Sequence, residues 1–246
     1  MEINRLKAIK DSYEMIRDRV NKACLRSGRK NSEITIIGVT KTHPFEYIKA
    51  SLELGINNIG ESYIQEAVKK IQELKIAIPH EEYQKINWHF IGNIQTNKIK
   101  FLKDDFSFLH SIDNQRQIDE INKRFANKLN IFLEINAGDE DSKGGVKLDQ
   151  TRYLLELIMK INDGRTARSL PKIELKGLMC IPPFNDDPEL SRPYFKMLRD
   201  GQETLNQEFS LEMDSLSMGM SNDFDIAIEE GATHVRIGTL LYGERV

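Results

Sequence analysis

A chain of 246 residues with net charge −3, 30% charged residues and only two cysteines has the make-up of an ordinary globular protein. The small net charge gives no reason to expect nucleic acid or an anionic membrane as the main partner, and Cys24 and Cys180 form neither a disulfide framework nor a metal-binding spacing. No run approaches the roughly 18 apolar residues needed to span a bilayer, and the charged N-terminus lacks the apolar core of a signal peptide, so a soluble, cytoplasmic protein is expected.

Residues 3–27 repeat apolar side chains at steps of three and four (Ile3, Leu6, Ile9, Tyr13, Ile16, Val20, Ala23), which predicts an amphipathic helix stopped at Gly28. The β-branched run Ile34–Val39 then reads as a buried parallel strand ending at Lys41, before Pro44 turns the chain. A helix over 45–54, a short strand over 57–61 and a helix from Tyr63 to Leu74 follow, then a polar surface excursion over 75–85. The third strand is Ile86–Gly92, with a short basic helix around 95–103. The fourth is Phe106–Ile112, with Asp113 or Asn114 capping a helix to about 127. The fifth, Ile131–Asn136, opens on a polar loop and a helix near 148–161. The sixth, Glu174–Ile181, leads through Pro182 and Pro183 to a long helix over 188–208. A seventh strand near 213–218 precedes a short helix capped by Ser221 and ended by Gly231, and the last strand, His234–Thr239, runs on into Leu240–Gly243.

Strict alternation of strands and helices implies parallel pairing with right-handed crossovers. The expected fold is α/β: one (β/α)8 TIM barrel over residues 1–246 as a single domain, with an additional N-terminal helix filling the gap left after strand eight; about 250 residues is the usual size. A doubly wound open sheet is the alternative.

In such a barrel the chemistry sits where the strands end. Those ends are Lys41, Glu61-Ser62, His89, His110-Ser111, Asn136, Met179, Ser217-Met218-Gly219 and Arg236-Ile237-Gly238-Thr239. A lysine backed by an apolar strand can be partly desolvated and offer a neutral amine for imine formation, although most strand-end lysines simply reach water. The turn Ser217–Asp223 and the Gly238-Thr239 pair could supply amides and hydroxyls to a phosphate. Arg236 lies in an apolar strand, where an unpaired charge is costly, so it must meet a carboxylate, a ligand or solvent. An imine-forming lysine, a phosphate turn and an arginine between them fit pyridoxal 5'-phosphate (PLP), with the guanidinium facing the pyridine nitrogen. His89 and His110 are candidate proton-transfer groups, though a strand histidine is more often structural; Lys98, Lys100 and Lys103 read as a solvated face, and Lys143-Gly144-Gly145 as a mobile anion-binding loop or a plain turn.

The chain resembles the YggS/PROSC family of pyridoxal phosphate homeostasis proteins. The resemblance rests on Val39-Thr40-Lys41-Thr42, Gly60-Glu61-Ser62-Tyr63-Ile64-Gln65-Glu66, Trp88-His89-Phe90-Ile91-Gly92, Gln95-Thr96-Asn97-Lys98, His110-Ser111-Ile112-Asp113, Ser142-Lys143-Gly144-Gly145, Gly177-Leu178-Met179, Leu216–Ser221 with Asp223, and Val235–Thr239 with Gly243. Two departures stand out: the family often has asparagine at Ser62 and serine at Gly144. The resemblance implies a barrel like the N-terminal domain of alanine racemase, with PLP as an imine on Lys41. It also implies cofactor contacts from Ser217, Gly219, Arg236, Gly238 and Thr239, to which Ser62 is added as a strand-end candidate.

Two classes of function compete. A carrier would hold PLP and deliver it to apo PLP-dependent enzymes without turnover, as a monomer. An enzyme would be an amino-acid racemase, or a Schiff-base aldolase acting on a phosphorylated substrate. A racemase needs a second acid/base opposite the lysine, which in alanine racemase-like enzymes comes from a further β domain of a partner subunit. The chain ends just past the last barrel strand, so the carrier is expected.

Overall fold

The computed structural model describes residues 2–140 and 144–244. Eight parallel strands, β1 (Thr35–Val39), β2 (Asn58–Glu61), β3 (Asn87–Phe90), β4 (Phe106–Ile112), β5 (Leu129–Ile135), β6 (Ile173–Cys180), β7 (Ser215–Met220) and β8 (His234–Ile237), close in sequence order. The closing pair aligns Ile37 with Arg236 and Thr35 with His234. The barrel is the expected fold; the open-sheet alternative is excluded by the β1–β8 pairing.

Helices cover the outside: α1 (Glu2–Ser27), α2 (Glu46–Glu53), α3 (Ile64–Ala77), α4 (His80–Tyr83), α5 (Gln115–Arg124), α6 (Thr151–Ala167), α7 (Arg192–Phe209), α8 (Phe224–Glu229) and α9 (Thr239–Tyr242). Side chains alternate along each strand. Trp88, Phe90, Leu109, Leu133, Leu178, Val235 and Ile237 join the apolar layer between strands and helices. The intervening residues, among them Ile37, His89, His110, Phe132, Ser217, His234 and Arg236, lie outside that layer and are all buried. The barrel interior is therefore partly polar, and every polar group in it needs a partner.

The N-terminal helix seals the barrel where the eighth crossover helix is missing. α1 packs on α8, α9 and α2 through Ile9, Ile16, Val20 and Ala23. Arg19 pairs with Asp225 at 2.7 Å, and Arg29 donates to the carbonyls of Ile228 and Ala232 at 2.9 and 2.6 Å. Two local expectations change. The last strand stops at Ile237, and residues 239–242 wind into α9 instead of continuing extended. Asp223, not Ser221, stands at the N-cap of α8, where its carboxylate accepts the Met220 amide at 2.7 Å. The 75–85 excursion holds the single turn α4, and Asn114 caps α5 by accepting from the Gln117 amide.

Candidate functional site

Two adjoining cavities open at the carboxyl ends of the strands, of about 470 and 350 Å³. Lys41, Ser62, Ile91 and Ile181 line both and form the ridge between them. The larger continues over Arg236, Gly238 and Thr239 to Met220–Asp223, under the Pro182–Asn185 loop. The smaller is walled by Tyr63, Gly92, Asn93, Glu134, Asn136 and Gly144.

Lys41 leaves the barrel just beyond β1, in the turn that follows Thr40. Ser221, Gly238 and Thr239 line the larger cavity together with Lys41. Ser221 Oγ accepts the Leu240 amide at 3.3 Å, and Asn222 donates to the Asn185 carbonyl at 3.2 Å, tying the loops after β6, β7 and β8 together. This is the place where barrels assemble phosphate sites from the last strand-end loops.

Arg236 forms the floor and is 4% exposed. Its guanidinium donates to Ser217 Oγ at 2.8 Å and to the Cys180 carbonyl at 2.9 Å. Burial pulls its pKa below the ordinary arginine value, opposed by Cys180, Asp223 and Glu134. A guanidinium has five N–H donors, so donors remain for a group in the cavity it lines. An acceptor such as a ring nitrogen fits there, and a second cation does not.

The bond to Ser217 ends a chain that crosses the barrel. Ser217 Oγ lies 2.8 Å from His110 Nδ1, His110 Nε2 lies 2.9 Å from His89 Nδ1, and His89 Nε2 lies 3.1 Å from Asn58 Oδ1. Burial holds both imidazoles well below their usual pKa, so each carries one ring proton. Asn58 Oδ1 can only accept, which makes His89 Nε2 a donor and Nδ1 an acceptor. His110 must then donate through Nε2 and accept at Nδ1, so the Ser217 hydroxyl donates to it and offers a lone pair to Arg236. All four bonds run the same way and present their electron-rich end to the buried cation. His89 and His110 line neither cavity; they are the interior partners that let Arg236 sit in an apolar strand.

Of the anticipated contacts, Lys41, Ser62, Arg236, Gly238 and Thr239 line one continuous site. Ser217 and Gly219 do not. Ser217 is fully buried with its hydroxyl engaged beneath Arg236, because strand alternation points it inward. Gly219 has φ +90°, and a Cβ on it would stand 2.6 Å from Ala227 Cβ, so the glycine lets β7 turn closely against α8. The wall they were expected to supply is made by Met220–Asp223. Lys143 lies outside the described residues, and Gly144 lines the smaller cavity.

Glu134 is a site group that strand-end reasoning passes over, since it took Asn136 as the end of β5. Burial raises its pKa to about 7, helped by the nearby Asp113 and opposed by Arg236. Its signal was in plain view: a carboxylate inside Ile131-Phe132-Leu133-Glu134-Ile135 raises the same question as Arg236 in β8. Among the described residues no cluster of His, Cys, Asp and Glu could hold a metal, and no helix is long and apolar enough to cross a membrane.

The family model of the alanine racemase N-terminal domain matches residues 6–246. A pyridoxal phosphate homeostasis protein of Aquifex aeolicus is 42% identical over 231 residues, covering 93% of this chain and 94% of that one. A protein of the same name from Vibrio cholerae is 34% identical over 243 residues, 98% of each chain. The solved structure of PipY from Synechococcus elongatus with PLP bound superposes with a TM-score of 0.73 at 27% identity, covering 93% of this chain and 100% of that one.

Proposed function

The chain belongs to the family of pyridoxal phosphate homeostasis proteins, built on the alanine racemase N-terminal domain, and on that premise we propose that it is a PLP carrier anchored at Lys41. The observation that supports this most is the larger cavity, which has a lysine at one end, a buried arginine as its floor and hydroxyl-bearing loops at the other. When bound there, PLP supplies an aldehyde that condenses reversibly with a primary amine.

Each residue has a role in holding it. Lys41 Nζ is the covalent anchor, and Ser62 stands beside it. Gly238, Thr239 and the Ser221–Asn222 turn receive the phosphate through backbone amides and hydroxyls. Arg236 donates to the ring nitrogen. Because a guanidinium does not give up its proton, a ring nitrogen held there would stay unprotonated. Such a site would hold the cofactor at its aldehyde, its phosphate and its ring nitrogen, as a carrier requires. The residues form one unit over the whole barrel, which acts in PLP homeostasis by supplying apo PLP-dependent enzymes.

Transfer without turnover is the test. The loaded protein is mixed with an apo PLP-dependent enzyme, recovery of that enzyme's activity is followed, and in parallel L- and D-alanine are offered to the loaded protein alone. The expected result is recovery of the acceptor, with alanine racemisation no faster than with free PLP. Racemisation well above that background contradicts the carrier and favours the racemase.

A further inference from the structure

One buried ion cluster grips the chain on both sides of Lys41. Lys70, on α3 and 4% exposed, donates to the Thr40 carbonyl at 2.6 Å and to Glu61 Oε1 at 2.8 Å, and pairs with Glu66 Oε1 at 2.5 Å. The same Glu66 oxygen accepts the Thr42 amide at 2.6 Å, and Glu61 Oε1 also accepts the Thr40 hydroxyl at 2.7 Å. An ammonium has three donors, and all three of Lys70 are taken, so it is not a competing amine. None of Glu61, Glu66 and Lys70 lines either cavity.

The grip falls where the backbone needs it. Thr42 has φ +67°, a left-handed conformation unfavourable for a β-branched residue and kept only where the surroundings enforce it. Glu66 bonds the amide of that same residue. The carbonyl before Lys41 and the amide after it are thus tied to one helix through one charge cluster, and the direction in which Lys41 leaves the backbone is set by them.

We propose that Lys70 and Glu66 are positioning residues for Lys41: by fixing the Thr40 carbonyl and the Thr42 amide, they hold its amine where the cofactor aldehyde must be met. This rests on Lys41 being the anchor. The cluster acts on covalent attachment and leaves the phosphate end of the cavity alone, a selectivity that general scaffolding lacks.

Lys70→Met, Glu66→Leu and Glu66→Gln, with the unsubstituted protein, are titrated with PLP and with pyridoxine 5'-phosphate, which keeps the phosphate and ring but has an alcohol in place of the aldehyde. Lys70→Met and Glu66→Leu are expected to weaken PLP binding about tenfold, the effect of losing a charge-assisted hydrogen bond, and to change the alcohol analogue less than about twofold. Glu66→Gln should bind PLP like the unsubstituted protein, because its amide oxygen still accepts from Thr42 and Lys70. Equal losses for both ligands, or undiminished PLP binding, overturn the proposal. If Lys70→Met does not fold, Glu66→Leu decides alone, since that side chain is 28% exposed. If the unsubstituted protein itself shows no lysine-linked absorbance with PLP, the anchor reading has failed and not merely the positioning of the anchor.

Discussion

Glu134 carries a pH signature that can be read without any ligand. Its ordinary value of 4.5 is raised to about 7 in the fold, so the folded chain holds this proton more tightly than the unfolded one. The stabilisation is fully present below the unfolded value and is lost as pH rises through about 7. At 1.36 kcal/mol per pH unit the loss reaches about 3 kcal/mol at most. Glutamine in its place has no proton to lose. Glu134→Gln is therefore expected to gain stability relative to the unsubstituted protein between pH 5 and pH 8, as followed by urea unfolding at each pH. A difference that stays constant across that range contradicts the assignment. Arg236 and Glu134 show how much of the site a single residue can betray: a charge in an apolar strand demands an explanation. Ser217 shows the converse, since a serine at a strand end reads equally as a ligand contact or an interior partner. Only the inward pleat of β7 and the histidine chain below it decide between them.

At the scale of elements, the barrel was legible because each strand is an apolar run and each helix an apolar stripe, and these periods differ. The strand alone put Lys41 on the strand-end face, and the Ser217–Asp223 turn and Arg236 were needed to read it as an imine-forming lysine. The end of the chain was less legible. His234–Thr239 and Leu240-Leu241-Tyr242 form one apolar run, and its division into β8 and α9 depends on tertiary packing, with the Tyr242 hydroxyl 2.8 Å from Ser51 Oγ and its ring near His43 and Tyr47. The Lys70 cluster was invisible for a different reason. Its members lie on β2 and α3, and nothing in their spacing says that they reach the turn after β1. The role of α1 was foreseen from the missing crossover helix and is carried by its buried face. Ile16 on α1 is fully buried, so Ile16→Ala is expected to cost about 2–5 kcal/mol of unfolding free energy. A cost below about 1 kcal/mol in chemical denaturation would mean that α1 is not integral to the barrel.

For the whole molecule, the parts agree on one task. A closed barrel gives a rigid ring of strand ends, two cavities share the Lys41 ridge, and an interior relay of neutral hydrogen bonds sustains a buried arginine under the larger one. The arrangement suits a phosphorylated aldehyde cofactor, in keeping with relatives named for pyridoxal phosphate homeostasis. The central claim is that Lys41 is the covalent anchor. Loading the protein with PLP, reducing it with borohydride and mapping the modified peptide tests that claim most directly. The account predicts a reduced pyridoxyl adduct on Lys41 in near-stoichiometric yield. An adduct on another lysine with Lys41 unmodified, or no adduct at all, would contradict it.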